Sequence, residues 1–440
     1  MSLFGAMNTA IAGLNAQSNA FGNISDNVAN SQTVGFKRVD TSFVDYLTTS
    51  NTTVNDPGSV VARPDYVNNV QGTIAQTDNP LGLAITGQGF FAVSQKTGQA
   101  NGVPTFNPQQ YYTRAGDFQL DKNGYLVNSS GLYLNGWPVD PTTGTVNQNA
   151  LVPIQVAQTS YSPVPTSQVT LSANLPATPA SGTGTASSPI SSNINVYDSL
   201  GTVHTVTLNW VQNSTDNWTV SVDVPDDKTT AARGSANVQF GSLGGTPVPE
   251  GTVGQISGAT GSVTTSGYAA GAGATLSFTT DFGSGPQTIQ LDLGTYGTTA
   301  GVTQYSGTQY DLRGISQNGA PPGSFTGVTT QANGSIVANF DNGKTQTIAQ
   351  VPVVTFSNPD ALQRQDGQSF TATTESGSGI ANQAGSSTAG SLVTGSVESS
   401  NVDIAAELSK LIVAQQAYTA NAKMVTTAQA MLTTTIDMKQ

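Results

Sequence analysis

Cysteine is absent from the 440 residues, which excludes a disulfide framework, thiolate metal sites and thiol nucleophiles in one step. Histidine occurs once, at His204, inside the strand-like run "GTVHTVTLNW". A histidine metal cluster needs more than one, and a lone strand histidine is expected at a surface or edge rather than in a Ser-His-Asp site. Charge is scarce: Asp, Glu, Lys and Arg make up 9% of the chain, against about 25% in ordinary globular proteins. Such a surface stays soluble through Thr, Ser, Asn and Gln, or is covered by other subunits. The net charge is -12 and the 14 basic residues form no patch, so nucleic acid is excluded as a partner. No run approaches the roughly 20 apolar residues of a membrane span, and no membrane insertion is expected. The start "MSLFGAMNTAIAGLNAQSNAFGN" has no basic residue before Lys37 and spaced apolar residues, so no cleaved signal peptide is expected.

What is present divides into two kinds of pattern. Near the C-terminus, "AAELSKLIVAQQAYTANAKMVTTAQ" contains neither Gly nor Pro. From Ile404, the positions Leu408, Leu411, Gln415, Tyr418, Ala422, Val425, Gln429, Leu432 and Ile436 follow steps of 3 and 4, a heptad seam on one long helix. Ser400 or Asn401 is placed to cap it, with Asp403 and Glu407 near the positive end of the helix dipole and Lys439 near the negative end. At the N-terminus Phe4, Met7, Ile11, Leu14, Ser18, Phe21, Ser25 and Val28 repeat the spacing, with Gly13 and Gly22 weakening that helix by about 1 kcal/mol each. Both helices need partners. Pairing with each other as an antiparallel coiled coil is one solution. A second is that the pair also packs on other copies, because one seam leaves Leu3, Ile412, Val413, Met424, Met431 and Met438 uncovered.

After the first helix, Asn27, Asn30 and Gly35 read as a helix stop and turn, Phe36 and Phe43 as anchors, and Lys37 and Arg38 as the only basic pair of that region. Residues 31–80 read as an extended connector. From Leu81 the period changes to 2, giving strands in "LGLAITGQGFFAVSQ" and consecutive hairpins at Asn123-Gly124, Ser130-Gly131 and Asn135-Gly136. Asn342-Gly343 marks another hairpin, and "SQVTLSAN", "NINVYDSLGTVHTVTLNWVQ" and "NWTVSVDVP" add further strands. The expected fold is therefore mainly β with terminal α-helices. It is discontinuous, with two antiparallel β domains, the outer inserted into the inner. The boundaries are 1–30 and 402–440 for the helical core, 81–155 and 328–395 for the inner β domain, and 160–327 for the outer one.

No catalytic, cofactor or metal residues are assigned, and no enzyme is expected. Gly87-Gln88-Gly89-Phe90-Phe91-Ala92 has the letters of a dinucleotide motif but continues into a strand rather than a helix. Asp121-Lys122-Asn123-Gly124 lacks the later Glu of a calcium loop, and Asp226-Asp227 reads as a solvated acidic pair. Trp137, Trp210 and Trp218, which could bind sugar, leave an enzyme of carbohydrate type open as a rival reading, and the low charge leaves open a secreted β-rich adhesin or surface-layer protein.

The start "MNTAIAGLNAQSNAFGNISDNVANSQTVGFKR", the runs "LAITGQGFF", "YTRAGDFQLDKNGYLVN", "VTLSANL" and "VYDSLGTVHTVTLNW", and the ending "GSVESSNVDIAAELSKLIVAQQAYTANAKMV" together resemble the bacterial flagellar hook proteins. The connector motif of that family corresponds to Asn30, Thr33, Gly35, Phe36 and Lys37. The terminal motifs are shared by rod, hook and hook–filament junction proteins, so distal rod and junction proteins remain alternatives. About 170 residues between the β blocks and the "VYDSLGTVHTV" run are similar to hook proteins. The resemblance implies a self-assembling helical tube, acting as a universal joint that carries motor torque from rod to filament. It implies an extracellular place in the flagellum, export through the flagellar type III apparatus without a cleaved signal, and contacts with the distal rod protein, hook cap protein and hook–filament junction protein. It also implies that Phe4, Met7, Ile11, Leu14, Phe21, Val28, Ile404, Leu408, Leu411, Tyr418, Val425, Leu432 and Ile436 are polymerisation residues.

Overall fold

The computed structural model describes residues 3–50, 55–100, 102–141, 143–157, 160–242 and 247–438. The chain is mainly β, with one helix at each end: α1 (Leu3–Ala29) and α2 (Ile404–Asp437). It divides into two compact units, one of Met1–Gln158, Gly327–Asn339 and Thr345–Gln440, the other of Thr159–Thr326 and Phe340–Lys344.

In the first unit the sheet is assembled from both sides of the interruption. Strand Phe91–Ala100 lies between Leu132–Pro138 and Tyr111–Thr113. Leu132–Pro138 then pairs with Thr345–Gln350, and Tyr111–Thr113 with Ser369–Thr371. Edge-on aromatic contacts fill the space beneath, with Phe90 5.6 Å from Phe370 and Phe91 5.6 Å from Phe118. Gly87-Gln88-Gly89 joins strand Leu83–Thr86 to Phe91–Ala100, and the buried rings of Phe90 and Phe91 belong to this core. A Cβ on Gly89 would sit 2.2 Å from Val353 Cγ1, so close packing rather than phosphate binding explains that glycine.

Three hairpins form where the glycines predict them, at Asn123-Gly124, Ser130-Gly131 and Asn342-Gly343. Asn135-Gly136 differs, because it lies inside strand Leu132–Pro138. Asn135 is buried and donates to Ser94 Oγ at 2.8 Å, and a Cβ at Gly136 would meet Ile154 and the Gln350 carbonyl within 3 Å. The dipeptide serves a close approach there, not a turn.

Residues 31–80 also differ from a plain connector. They contain a long antiparallel hairpin, β1 (Val39–Ser50) with β2 (Asn55–Tyr66), and strand Ile74–Gln76 pairs with Ser396–Glu398. The hairpin runs along α1, where Thr9 Oγ1 donates to the Gly58 carbonyl and Asn23 Nδ2 to Thr41 Oγ1. A ribbon exposed over much of both faces has no alternating apolar pattern, and Pro57 and Pro64 argue locally against a strand, so the sequence conceals it.

The second unit is a sandwich. One sheet is an antiparallel meander of Ile190–Tyr197, Val203–Ser214, Asn217–Asp223, Ala232–Phe240 and Val253–Ser257. The other contains Gly273–Asp281, Pro286–Thr295, Gln168–Pro176, Val302–Tyr305 and Asp311–Gln317. Here the expectation of purely antiparallel sheets fails: Gln168–Pro176 pairs in parallel with both Pro286–Thr295 and Val302–Tyr305. A return after more than a hundred residues is free of the tight-turn constraint that forces neighbours antiparallel. Alternate residues of both sheets form one core around Leu171, Leu208, Val220, Phe278 and Leu291. Trp210 and Trp218 are part of it, and Trp137 is buried in the first unit, so none of the three offers a ring for stacking a sugar.

Asp227 is not solvated. Its carboxylate accepts from Thr229 N and Oγ1, Thr230 N, Thr280 Oγ1 and Asp281 N, and it sits 3.1 Å from Arg233. Burial alone raises its pKa, but the hydrogen bonds from Thr229, Thr280 and Asp281 outweigh this and hold it well below the ordinary carboxylate range. A depressed folded-state pKa means that this stabilisation is complete above about pH 4 and is lost as the pH falls further. Asp227→Asn is expected to weaken the sandwich by about 1–3 kcal/mol at pH 7 and to flatten its loss of stability between pH 4 and pH 2. Denaturation of the full chain, followed by tryptophan fluorescence over that range, measures both effects.

Candidate assembly surface

α1 and α2 pack antiparallel: Asn27 meets Glu407, Phe21 meets Tyr418 with ring centroids 6.2 Å apart, and Gly13 faces Asn421. Most of the residues buried on the two helices are small, and α1 is covered by β1 and β2 as well as by α2. On α1 they are Ala10, Gly13, Ala16 and Ala20, followed by Ile24 and Asn27; on α2 they are Ala414 and Ala428, with Glu407 at the base. A Cβ added to Gly13 would lie 2.8 Å from Asn421 Nδ2, so the glycine that weakens α1 in isolation permits its approach to α2.

The seam read from large apolar residues is therefore rotated from the one that forms. Met7, Leu14, Phe21 and Val28 on α1, and Leu411, Val425 and Leu432 on α2, flank the contact and are half-buried. Phe4, Ile11, Ile404, Leu408, Tyr418 and Ile436 are exposed. So are Ile412, Val413, Met424, Met431 and Met438. Gly13 lets the two backbones come close, and apart from the Phe21–Tyr418 pair most of the bulkier side chains lie beside or outside the contact. Lys439 and the side chain of Leu3 lie outside the described residues.

Polar groups lock the base of this pair. Asn27, fully buried, donates to the Val39 carbonyl and to Glu407 Oε2, and accepts from Val39 N, tying α1 to β1 and α2. Lys410 Nζ lies 2.6 Å from Asp40 and 2.7 Å from Glu407. The cap of α2 is neither Ser400 nor Asn401 but Asp403, whose Oδ1 accepts from Ala405 N and Ala406 N. Asn401 instead accepts from Arg38 N and donates to the carbonyls of Val67 and Val70.

The connector motif converges on a buried charge cluster. Asn30 closes α1 by donating to Asp26, and Thr33 Oγ1 donates to Asn30 Oδ1. Gly35, at φ +69°, donates its N–H to the Glu398 carbonyl in a space where a Cβ would strike Ala115 N at 2.3 Å. Phe36 is buried beneath the Arg364 guanidinium, 4.6 Å from the ring centroid, while Phe43 is exposed on β1. Lys37 Nζ reaches Glu398 Oε1 at 2.5 Å and the Val70 carbonyl at 2.6 Å. Arg114 Nη1 reaches Glu398 Oε2 at 2.8 Å, and Arg114 also donates to the carbonyls of Ile85 and Gly87. Burial pushes the Lys37 ammonium down to about 8 against the pull of Glu398, with Arg114 adding to the fall. Glu398, Arg114 and Glu407 carry no local pattern that marks them. The pairs Arg114–Glu398, Lys37–Glu398 and Asn27–Glu407 join residues 284 to 380 apart, so only the fold brings them together.

Comparison with known proteins agrees with this architecture. Residues 84–174 match the family described as flagellar hook protein FlgE/F/G D1 domain, residues 165–320 the flagellar basal body protein FlaE D2 domain, and residues 393–438 the flagellar basal body rod FlgEFG protein C-terminal family. The flagellar hook protein FlgE of Brucella abortus is 32% identical over 443 residues, with 100% of each chain covered. The chain belongs to the flagellar hook protein family. Hook proteins of Rhizobium meliloti, 30% identical with full coverage of both chains, and of Escherichia coli, 28% identical over 99% of this chain and 100% of the relative, match it in the same end-to-end way. In this hook-family chain the C-terminal match takes in Glu398 and all of α2, so the buried carboxylate and the helix it precedes fall in one family segment.

Glu398→Gln leaves Lys37 and Arg114 buried without a counter-charge and is expected to lower stability by about 3–5 kcal/mol, read as a shifted chemical-denaturation midpoint. Gly13→Val is expected to separate α1 from α2 while leaving the β-sheet circular dichroism unchanged, and the loss of helical signal measures it.

Proposed function

We propose that the protein is the self-assembling structural subunit of the flagellar hook, polymerised through its paired terminal helices. The observation that carries the reading is the row of exposed apolar side chains on α2, among them Leu408, Ile412, Val413, Met424 and Met431, on a helix already paired with α1. A helix polar over its free face would need no neighbour. This one exposes apolar area that association removes from water at about 25 cal/mol per Å². A repeated head-to-tail contact whose rotation does not close builds an open helical tube. The thirteen helix residues assigned from the sequence then divide by role: the half-buried ones, with Tyr418 against Phe21, hold α1 to α2, and the other exposed ones meet other copies.

The tube acts as a universal joint carrying torque from rod to filament. Low surface charge supports this role, since faces sliding past one another break few ion pairs. The distal rod protein, hook cap protein and junction protein are its partners at the tube ends. Export proceeds through the flagellar type III apparatus without a cleaved signal, and a chain with no cysteine threads without crosslinks. Among the described residues no helix is long and apolar enough to cross a membrane.

Ile412→Asp, at an exposed position, is expected to abolish polymer while leaving the monomer's circular dichroism intact. Ala414→Asp, at the buried position two residues on, is expected to lose helix pairing as well. Sedimentation of both under polymerising conditions, beside a chain ending at residue 403, tests the reading. Polymer from the truncated chain would refute it.

A further inference from the structure

At the base of the helix pair, α1, α2 and β1 enclose an open groove of about 510 Å³, lined by Ala20 and Ile24, Val39 and Phe43, and Val413 and Ala414. The charged groups at its rim, Asp40, Glu407 and Lys410, bond to one another, so the groove presents no charge that calls for a charged guest. At the other end of α2, Met424, Met431 and Met438 recur every seven residues and so lie on one face. They are 59%, 55% and 84% exposed. Three of the chain's five methionines stand on this stripe, and residues 424–436 contain no charge.

We propose that the methionine stripe of one copy seats in the basal groove of the next, which specifies the contact through which the self-assembly proposed above proceeds. Stripe and groove cannot meet within one chain. Ala414 and Met431 are 17 residues apart on a continuous helix, or about 26 Å at 1.5 Å per residue. Every copy carries both a donor and an acceptor at opposite ends of one rod, which is the form of a head-to-tail contact that propagates. A foreign partner would require only one of the two. Methionine suits the task, because its unbranched thioether adapts to a groove whose walls shift as the tube bends.

The absence of cysteine makes the test direct. Val413→Cys and Met431→Cys are prepared as separate single variants, mixed in equal amounts, polymerised under reducing conditions and then oxidised. A disulfide-linked dimer is expected in the mixed polymer and not in polymer of either variant alone. Ser409→Cys, also in the groove lining, paired with Met424→Cys provides a second combination should one variant assemble poorly. Tyr418→Cys paired with Met431→Cys, in which Tyr418 is exposed but lies outside the groove lining, is expected to give no such dimer. Polymer that forms normally but yields no dimer from either groove–stripe combination overturns the proposed contact and leaves self-assembly standing. Failure of the unsubstituted chain to polymerise at all overturns the functional reading itself.

Discussion

The Glu398 carboxylate, closed off from water between Lys37 and Arg114, is the contact on which the geometry of the first unit depends. An isolated buried carboxylate is strongly unfavourable, so the two cations and the Gly72 N–H that bonds it must stay where they are. Those groups come from the stretch after α1, from the first β block and from the strand preceding α2. The cluster therefore sets how the chain leaves α1, enters the sheet and turns back into α2. Such a cluster is a weak source of net stability but a strict source of register, because a displaced partner leaves a bare charge rather than a looser contact.

From that point the structure separates two tasks that a large-residue heptad would merge. Small residues take most of the fully buried positions on the helices, and although Phe21 meets Tyr418 across them, pairing within the chain leaves much of their apolar surface exposed. Most of the bulky side chains of α2 stay available. A chain whose helices hid their leucines and methionines against each other would be a finished monomer, whereas this one is ordered and still unsatisfied. The sandwich of the second unit shows the opposite economy, with its tryptophans and alternate strand residues fully enclosed and its outer faces made of Thr, Ser and Asn.

The fold class was legible in the sequence for physical reasons that can be named. Steps of 3 and 4 without Gly or Pro mark α2, and alternation marks Asn217–Asp223, whose inward and outward residues are regular along its length. Turn chemistry marks Asn123-Gly124. The same rules failed at Asn135-Gly136, where a strand used the dipeptide to let another backbone approach, and at β1–β2, where a solvated ribbon has no pattern to detect. The parallel pairing of Gln168–Pro176 was equally invisible, since local periodicity says nothing about the direction of a distant neighbour.

The sequence by itself determined that the chain is β in its middle and helical at both ends, that it has no thiol chemistry, and that its helices carry more apolar surface than one seam consumes. These follow from composition and from periods within a few turns, which are local properties. The tertiary structure alone decided which stripe pairs with which, that small residues take most of the buried helix positions, and that Asp403 caps α2. It alone placed Lys37, Arg114 and Glu398 together and enclosed Asp227. Each of these depends on groups far apart along the chain or on which side of a helix faces inward, and only folding makes distant residues neighbours.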